Sequence, residues 1–112
     1  MNWINLTTEA QLDQLAERSK TIPQVIYKHS TRCGTSTMVL SRLQRSTPPA
    51  GIDFYFLDLL KFRSVSDAVS ERFHVHHESP QVLLISNNEC VYDESHISIT
   101  MDEIEEQAAS LR

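Results

Sequence analysis

Cysteine and glycine each occur only twice in these 112 residues, and tryptophan once. So few cysteines argue against the bridged framework of a small secreted domain. Cys33 and Cys90 also lack the paired spacing of a zinc site, so no metal site is expected. No compact basic stripe occurs and the net charge is −5, which speaks against a nucleic-acid groove. The longest apolar stretches, residues 82–85 and 54–60, are far short of a membrane span. No cationic start followed by an apolar segment opens the chain. The expectation is a cytoplasmic monomer, one domain over residues 1–112, that engages neither membrane nor nucleic acid.

What is present is ordered. Apolar residues make up 40 % and charged residues 22 % of the chain, the composition of a soluble globular domain. Residues 3–6 suit a short strand or a staple. Thr8 with Gln11 forms a capping box ahead of a helix through about Ser19, with Ala10, Leu12, Leu15 and Ala16 on its apolar face. Residues 25–30 read as a strand, and a helix follows over about 36–45, stopped by "STPPAG". "IDFYFLDL" is a strand covered on both faces. Ser64 or Ser66 is the candidate cap of the next helix. "QVLLIS", a tight turn at "NNE" and the strand "CVYDE" come next, and Thr100 with Glu103 forms the capping box of a last helix.

The order is (β)αβαβαββα. Early strand–helix alternation predicts parallel crossovers, and the turn at "NNE" predicts an antiparallel hairpin. The fold class is α/β: a sandwich with a mixed central sheet of four or five strands and helices on both faces.

The segment "HSTRCGTS" places Cys33 where a strand ends and a helix begins. A cysteine there can fill space, bind metal or act as a nucleophile. Its polar neighbours favour the nucleophile, since buried inert cysteines sit among apolar residues. Thiol–disulfide exchange needs a thiolate. A helix N-terminus, Arg32, and Lys28 and His29 nearby would favour that charge, and Thr35 and Ser36 offer hydroxyls to the sulfur. Ser36 stands where a dithiol motif Cys-x-x-Cys would carry its second thiol. Serine cannot form the bond, so the second thiol must come from outside.

The element order resembles the thioredoxin-like fold, and Cys33-Gly34-Thr35-Ser36 and Ser79-Pro80 fall where such folds keep their chemistry. The segments "KHSTRC", "YFLDLL", "ERFHVHHESPQVLLI" and "ECVYDESH" resemble one branch, the YtxJ-type monothiol bacilliredoxins of the bacillithiol system. The resemblance implies a three-layer thioredoxin-like sandwich and a monothiol oxidoreductase with Cys33 as catalytic nucleophile. Bacillithiol or another low-molecular-weight thiol would be its co-substrate, S-thiolated cytosolic proteins its clients, and no cofactor would be tightly bound. It also implies substrate contacts at Arg32, Gly34, Thr35, Ser36, Ser79 and Pro80, with a cis peptide before Pro80. Gly34-Thr35-Ser36 is similar as well to the Cys-Gly-Phe-Ser motif of monothiol glutaredoxins. That likeness leaves open a [2Fe–2S] carrier held through Cys33 and an exogenous thiol, although "HSTRC" lacks the extra loop those proteins carry. A thioredoxin-fold scaffold without redox turnover is a third reading.

The remaining chemistry-bearing residues read more plainly. Cys90, at the start of the last strand, is expected to be a packing residue. His74, His76 and His77 suit a loop better than a metal site. His96 is either a neighbour of the site or an exposed loop residue, and Asp58 sits at the rim or caps the next segment.

Overall fold

The computed structural model describes residues 1–111; Arg112 lies outside the described part. Five strands and four helices follow in chain order: β1 (Ile4–Asn5), α1 (Glu9–Arg18), β2 (Gln24–His29), α2 (Gly34–Arg45), β3 (Asp53–Asp58), α3 (Arg63–Phe73), β4 (Gln81–Ser86), β5 (Glu89–Ser95) and α4 (Met101–Ala109). A one-turn 3-10 segment, His96–Ser98, links β5 to α4.

The strands form one mixed sheet in the order β1-β3-β2-β4-β5. β3 runs parallel to β1 and to β2, whereas β4 is antiparallel to β2 and to β5. Residues at alternate positions of a strand face opposite ways, and the two faces carry separate cores. Ile26, Tyr55, Leu57, Leu83 and Ile85 pack against α1 and α3 through Leu12, Leu15, Val65, Val69 and Phe73. Val25, Tyr27, Phe54, Val82 and Leu84 pack against α2 and α4 through Val39, Leu43, Met101 and Ile104. Each such side chain contributes about 1.5–3 kcal/mol when fully buried. All six residues of β2 are buried, because this central strand is covered by neighbours and by helices on both faces.

Local signals set the boundaries. Thr8 accepts from the Gln11 amide and the Gln11 side chain returns to the Thr8 amide, closing the capping box expected for α1. Thr100 accepts from the Glu103 amide at 3.2 Å, while the Glu103 carboxylate accepts from Gln107 instead. The hairpin between β4 and β5 turns on Asn87 and Asn88, both left-handed (φ 52° and 64°), as a type I′ turn requires. Their amides donate to the Ser19 carbonyl and hydroxyl, each at 2.8 Å, fastening the hairpin to the end of α1.

Two boundaries differ from the sequence reading. α2 begins at Gly34 rather than near Ser36, which makes Cys33 its N-cap. α3 begins after Phe62, so neither Ser64 nor Ser66 caps it. The preceding turn does that work: Asp58 Oδ1 accepts from the amides of Leu60 and Lys61, and the Phe62 amide donates to the Asp58 carbonyl. Asp58 thus starts the helix by an aspartate turn.

Candidate active site

The C-terminal end of β2 and the N-terminal end of β4 lie side by side, since Lys28 is in register with Gln81. The two motifs marked in the sequence therefore leave neighbouring interior strands at the same end of the sheet. Residues 30–33 leave β2 as a tight turn: the Cys33 amide donates to the Ser30 carbonyl (3.2 Å) and the Arg32 amide to the Ser30 hydroxyl (3.3 Å). The chain then enters α2 at Cys33, whose carbonyl accepts from the Thr37 amide at 3.1 Å.

Cys33 is a free, half-buried thiol flanked by exposed Arg32, Gly34 and Thr35. Its sulfur makes no capping hydrogen bond. It remains at the positive end of the helix dipole, where an anion is stabilised by roughly 0.3–1 kcal/mol. Nothing crowds the place of a side chain at Gly34, which faces open space.

Ser36 is a correction. It is fully buried and cannot touch a substrate at the surface. Its hydroxyl does not serve the sulfur either. It accepts from the Ser30 amide at 3.0 Å, lies 2.7 Å from His29 Nδ1, and is 3.3 Å from the Tyr27 hydroxyl. The Tyr27 hydroxyl donates to the Ser36 carbonyl at 2.8 Å. Burial, above all, pushes the Tyr27 phenol up to about 12, and the nearby Cys33 charge adds to the shift. Phenol, serine and imidazole thus form a polar cluster beneath the turn that carries the thiol.

The charges assigned to Lys28 and His29 are also corrected. Successive strand residues face opposite sides of a sheet. Lys28 points to the α3 side, where its Nζ donates to the Ser66 carbonyl (3.1 Å) and the Ser70 hydroxyl (2.9 Å) and lies 3.3 Å from His77 Nδ1. It is fully buried, and desolvation brings its ammonium down to about 8. It does not act on Cys33. His29 does face α2, but burial lowers its pKa against a weaker opposing effect of Asp58. At neutral pH it is an uncharged ring rather than a cation.

The Ser79–Pro80 peptide is cis. Pro80 is buried and Ser79 half-buried, with a Ser79 hydroxyl that is enclosed and unpartnered. The Pro80 carbonyl accepts from the His96 amide at 3.0 Å, and the His96 ring pairs with Glu78 at 3.3 Å. His96 is therefore both exposed and a neighbour of the Pro80 loop. One Arg42 nitrogen on α2 donates to the carbonyls of Ile97 (2.6 Å) and Ile99. The helix that begins at Cys33 is thereby fastened to the turn that braces Pro80.

Cys90 lies in the hairpin, packed against the α1/α3 core, and its thiol donates to the Tyr92 carbonyl at 3.3 Å. Burial raises it to about 11, so it stays protonated and inert. His74 caps α3 in the left-handed conformation, and His76 and His77 are exposed loop residues. Among the described residues no group of three or more His, Cys, Asp or Glu could hold a metal, and no helix is long and apolar enough to cross a membrane.

Tyr27 and Arg42 were missed as neighbours of the thiol's turn, and His29 was read as a nearby charge rather than as a partner of Ser36. A signal existed for Tyr27 and His29: period-two alternation puts both on the face covered by α2.

A family model described as monothiol bacilliredoxin BrxC matches residues 4–104. Among solved structures, a thioredoxin-fold protein described as a candidate oxidoreductase superposes with a TM-score of 0.81 at 27 % identity, covering 93 % of this chain and 91 % of the other. Thioredoxin from Malassezia sympodialis (TM-score 0.75, 15 % identity, 97 % and 90 % covered) and thioredoxin from Fasciola hepatica (0.71, 16 %, 96 % and 98 %) share the fold.

Proposed function

This chain belongs to the monothiol bacilliredoxin family, whose fold and chemistry support a thiol oxidoreductase role, and we propose that it removes bacillithiol, or a similar small thiol, from S-thiolated cytosolic proteins through Cys33. The observation that carries the reading is the pairing of Cys33 with Ser36. A free, half-exposed thiol heads α2, and the position that would hold a resolving thiol carries a buried serine.

The step is a thiol–disulfide exchange. The Cys33 thiolate attacks the small-thiol sulfur of the mixed disulfide. The bond to the client sulfur breaks, and the client leaves as a thiolate that takes a proton from water. Cys33 now carries the small thiol. A second small thiol, as thiolate, attacks that adduct and leaves as the symmetrical disulfide, supplying the electron pair and freeing Cys33. Arg32, Gly34 and Thr35 would line the approach to the sulfur. The backbone of Ser79, aimed by Pro80, would pair with the client in extended form. Ser36 acts from beneath, without touching substrate. The protein would work in the cytoplasm, as one thioredoxin-like domain over residues 1–112 and as a monomer.

Mass spectrometry of the protein mixed with a bacillithiolated client tests this. The client should lose the small thiol while one adduct appears on Cys33. A client that keeps its thiol in the presence of the native protein, or a brown sample absorbing in the visible, would overturn the reading, the latter in favour of the [2Fe–2S] carrier.

A further inference from the structure

The cluster beneath Cys33 is more elaborate than a space-filling core needs. His29 is 6 % exposed and Ser36 not at all, yet two side chains and one amide converge on the Ser36 hydroxyl. The obligatory donors constrain the protons. The Ser30 amide can only donate, so it fills one lone pair of the Ser36 oxygen. The single Tyr27 proton goes to the Ser36 carbonyl. With the ring proton on Nε2, the Ser36 proton has two acceptors in reach, His29 Nδ1 at 2.7 Å and the Tyr27 oxygen at 3.3 Å, and the shorter contact is the stronger.

We propose that His29 is a positioning residue for the exchange at Cys33: its Nδ1 takes the Ser36 hydroxyl and thereby holds the turn that presents the thiol. The inference rests on Cys33 being the nucleophile. The Ser36 oxygen ties the turn to the helix, because it receives the Ser30 amide at one end while its own residue is fixed in the first turn of α2. Without an acceptor at His29, the Ser36 proton falls back on the longer contact to the Tyr27 oxygen at 3.3 Å. A shift of the Ser36 side chain toward Tyr27, closing that longer contact, would draw its oxygen off the Ser30 amide and loosen residues 30–33.

The surroundings suit an uncharged acceptor. The ring is packed 5.3 Å from Phe56 and 6.1 Å from Tyr27. The titratable groups acting around this cluster are Asp58 at the end of β3, the Tyr27 phenol on β2, and Cys33 and Arg42 on α2. Burial, the largest effect, lowers the ring's pKa against the opposing pull of Asp58 and of the Ser36 backbone. With Nδ1 accepting, the ring proton resides on Nε2.

Two variants separate positioning from mere packing. His29→Asn keeps a polar atom near the place of Nδ1, whereas His29→Leu keeps only bulk. The readout is the alkylation rate of Cys33 by iodoacetamide, which needs no client or small thiol. A protein inactive toward thiolated clients would therefore defeat the substrate assignment and leave this comparison standing. We expect alkylation to fall about tenfold in His29→Leu and to stay within about threefold of the native rate in His29→Asn, the scale of a small misplacement of a reacting group. A native rate in His29→Leu, or equal losses in both variants, would overturn the proposal. Imidazole nitrogen resonances of the native protein give an answer even if His29→Leu does not fold. The expected pattern is an unprotonated, hydrogen-bonded Nδ1 that shifts in Ser36→Ala; a proton found on Nδ1 would refute the assignment.

Discussion

The amide of His96 donates to the carbonyl of Pro80 at 3.0 Å. The bond joins the loop ahead of β4 to the turn after β5, and Arg42 grips that turn from α2 through the carbonyls of Ile97 and Ile99. The two halves of the site, one at the head of α2 and one at the head of β4, are thus held by a route separate from the sheet itself.

Arg42→Ala should cut that route. Two carbonyls would lose a charged donor, a change of about 1–3 kcal/mol per bond to a charged group. A calorimetric melt should drop by several degrees, and removal of the small thiol from a client should slow while Cys33 alkylation changes little. An unaltered melting temperature would mean that the guanidinium does not brace the turn.

The two cysteines should part company in every assay. Cys33→Ser should abolish release of the small thiol, whereas Cys90→Ser should leave the rate near native. At pH 8 a limiting alkylating agent should label Cys33 alone, because burial has raised the Cys90 thiol to about 11. Peptide mapping of the labelled protein checks this, and substantial label on Cys90 would contradict its packing role.

Ser36→Cys should create an internal resolving thiol. Residues three apart across the start of a helix bring their Cα atoms within the roughly 4.4–6.8 Å that a disulfide spans. Mild oxidation should then join Cys33 to the introduced thiol in place of a lasting small-thiol adduct, lowering the mass by two hydrogens. Persistence of the adduct would show that the buried orientation of the side chain at position 36 prevails.

Lys28 predicts a pH dependence. Its ordinary value is 10.5 and the folded value about 8, so between these limits the unfolded chain holds the proton more tightly. Folding stability attributable to this residue therefore rises as pH increases from 8 to 10.5, by up to roughly 3 kcal/mol at about 1.4 kcal/mol per pH unit. Urea titrations of the native protein and Lys28→Met at several pH values isolate the effect. A difference between the two that is flat across this window would mean that the ammonium is not desolvated.

Much of this molecule was legible in one dimension. The order of strands and helices, the Thr8 capping box, the turn at Asn87 and Asn88 and the placement of Cys33 between strand and helix all depend on near neighbours, through hydrogen-bond stereochemistry and the spacing of apolar residues. Those forces act within a few residues, so the residue string carries them. Ser36 was legible as the absence of a second thiol for the same reason. The role of its hydroxyl was not, because its partners His29 and Tyr27 are defined by which face of β2 meets α2. Lys28 is the sharpest case. Beside His29 in the chain it looked like a cation near the thiol, yet strand alternation sends the two to opposite faces, where α3 receives one and α2 the other. Which helix covers which face, and whether a charge is thereby buried, is settled by long-range packing of the sheet. Local residues determined that there is a thiol at a helix entry; only the tertiary structure decided what stands beneath it.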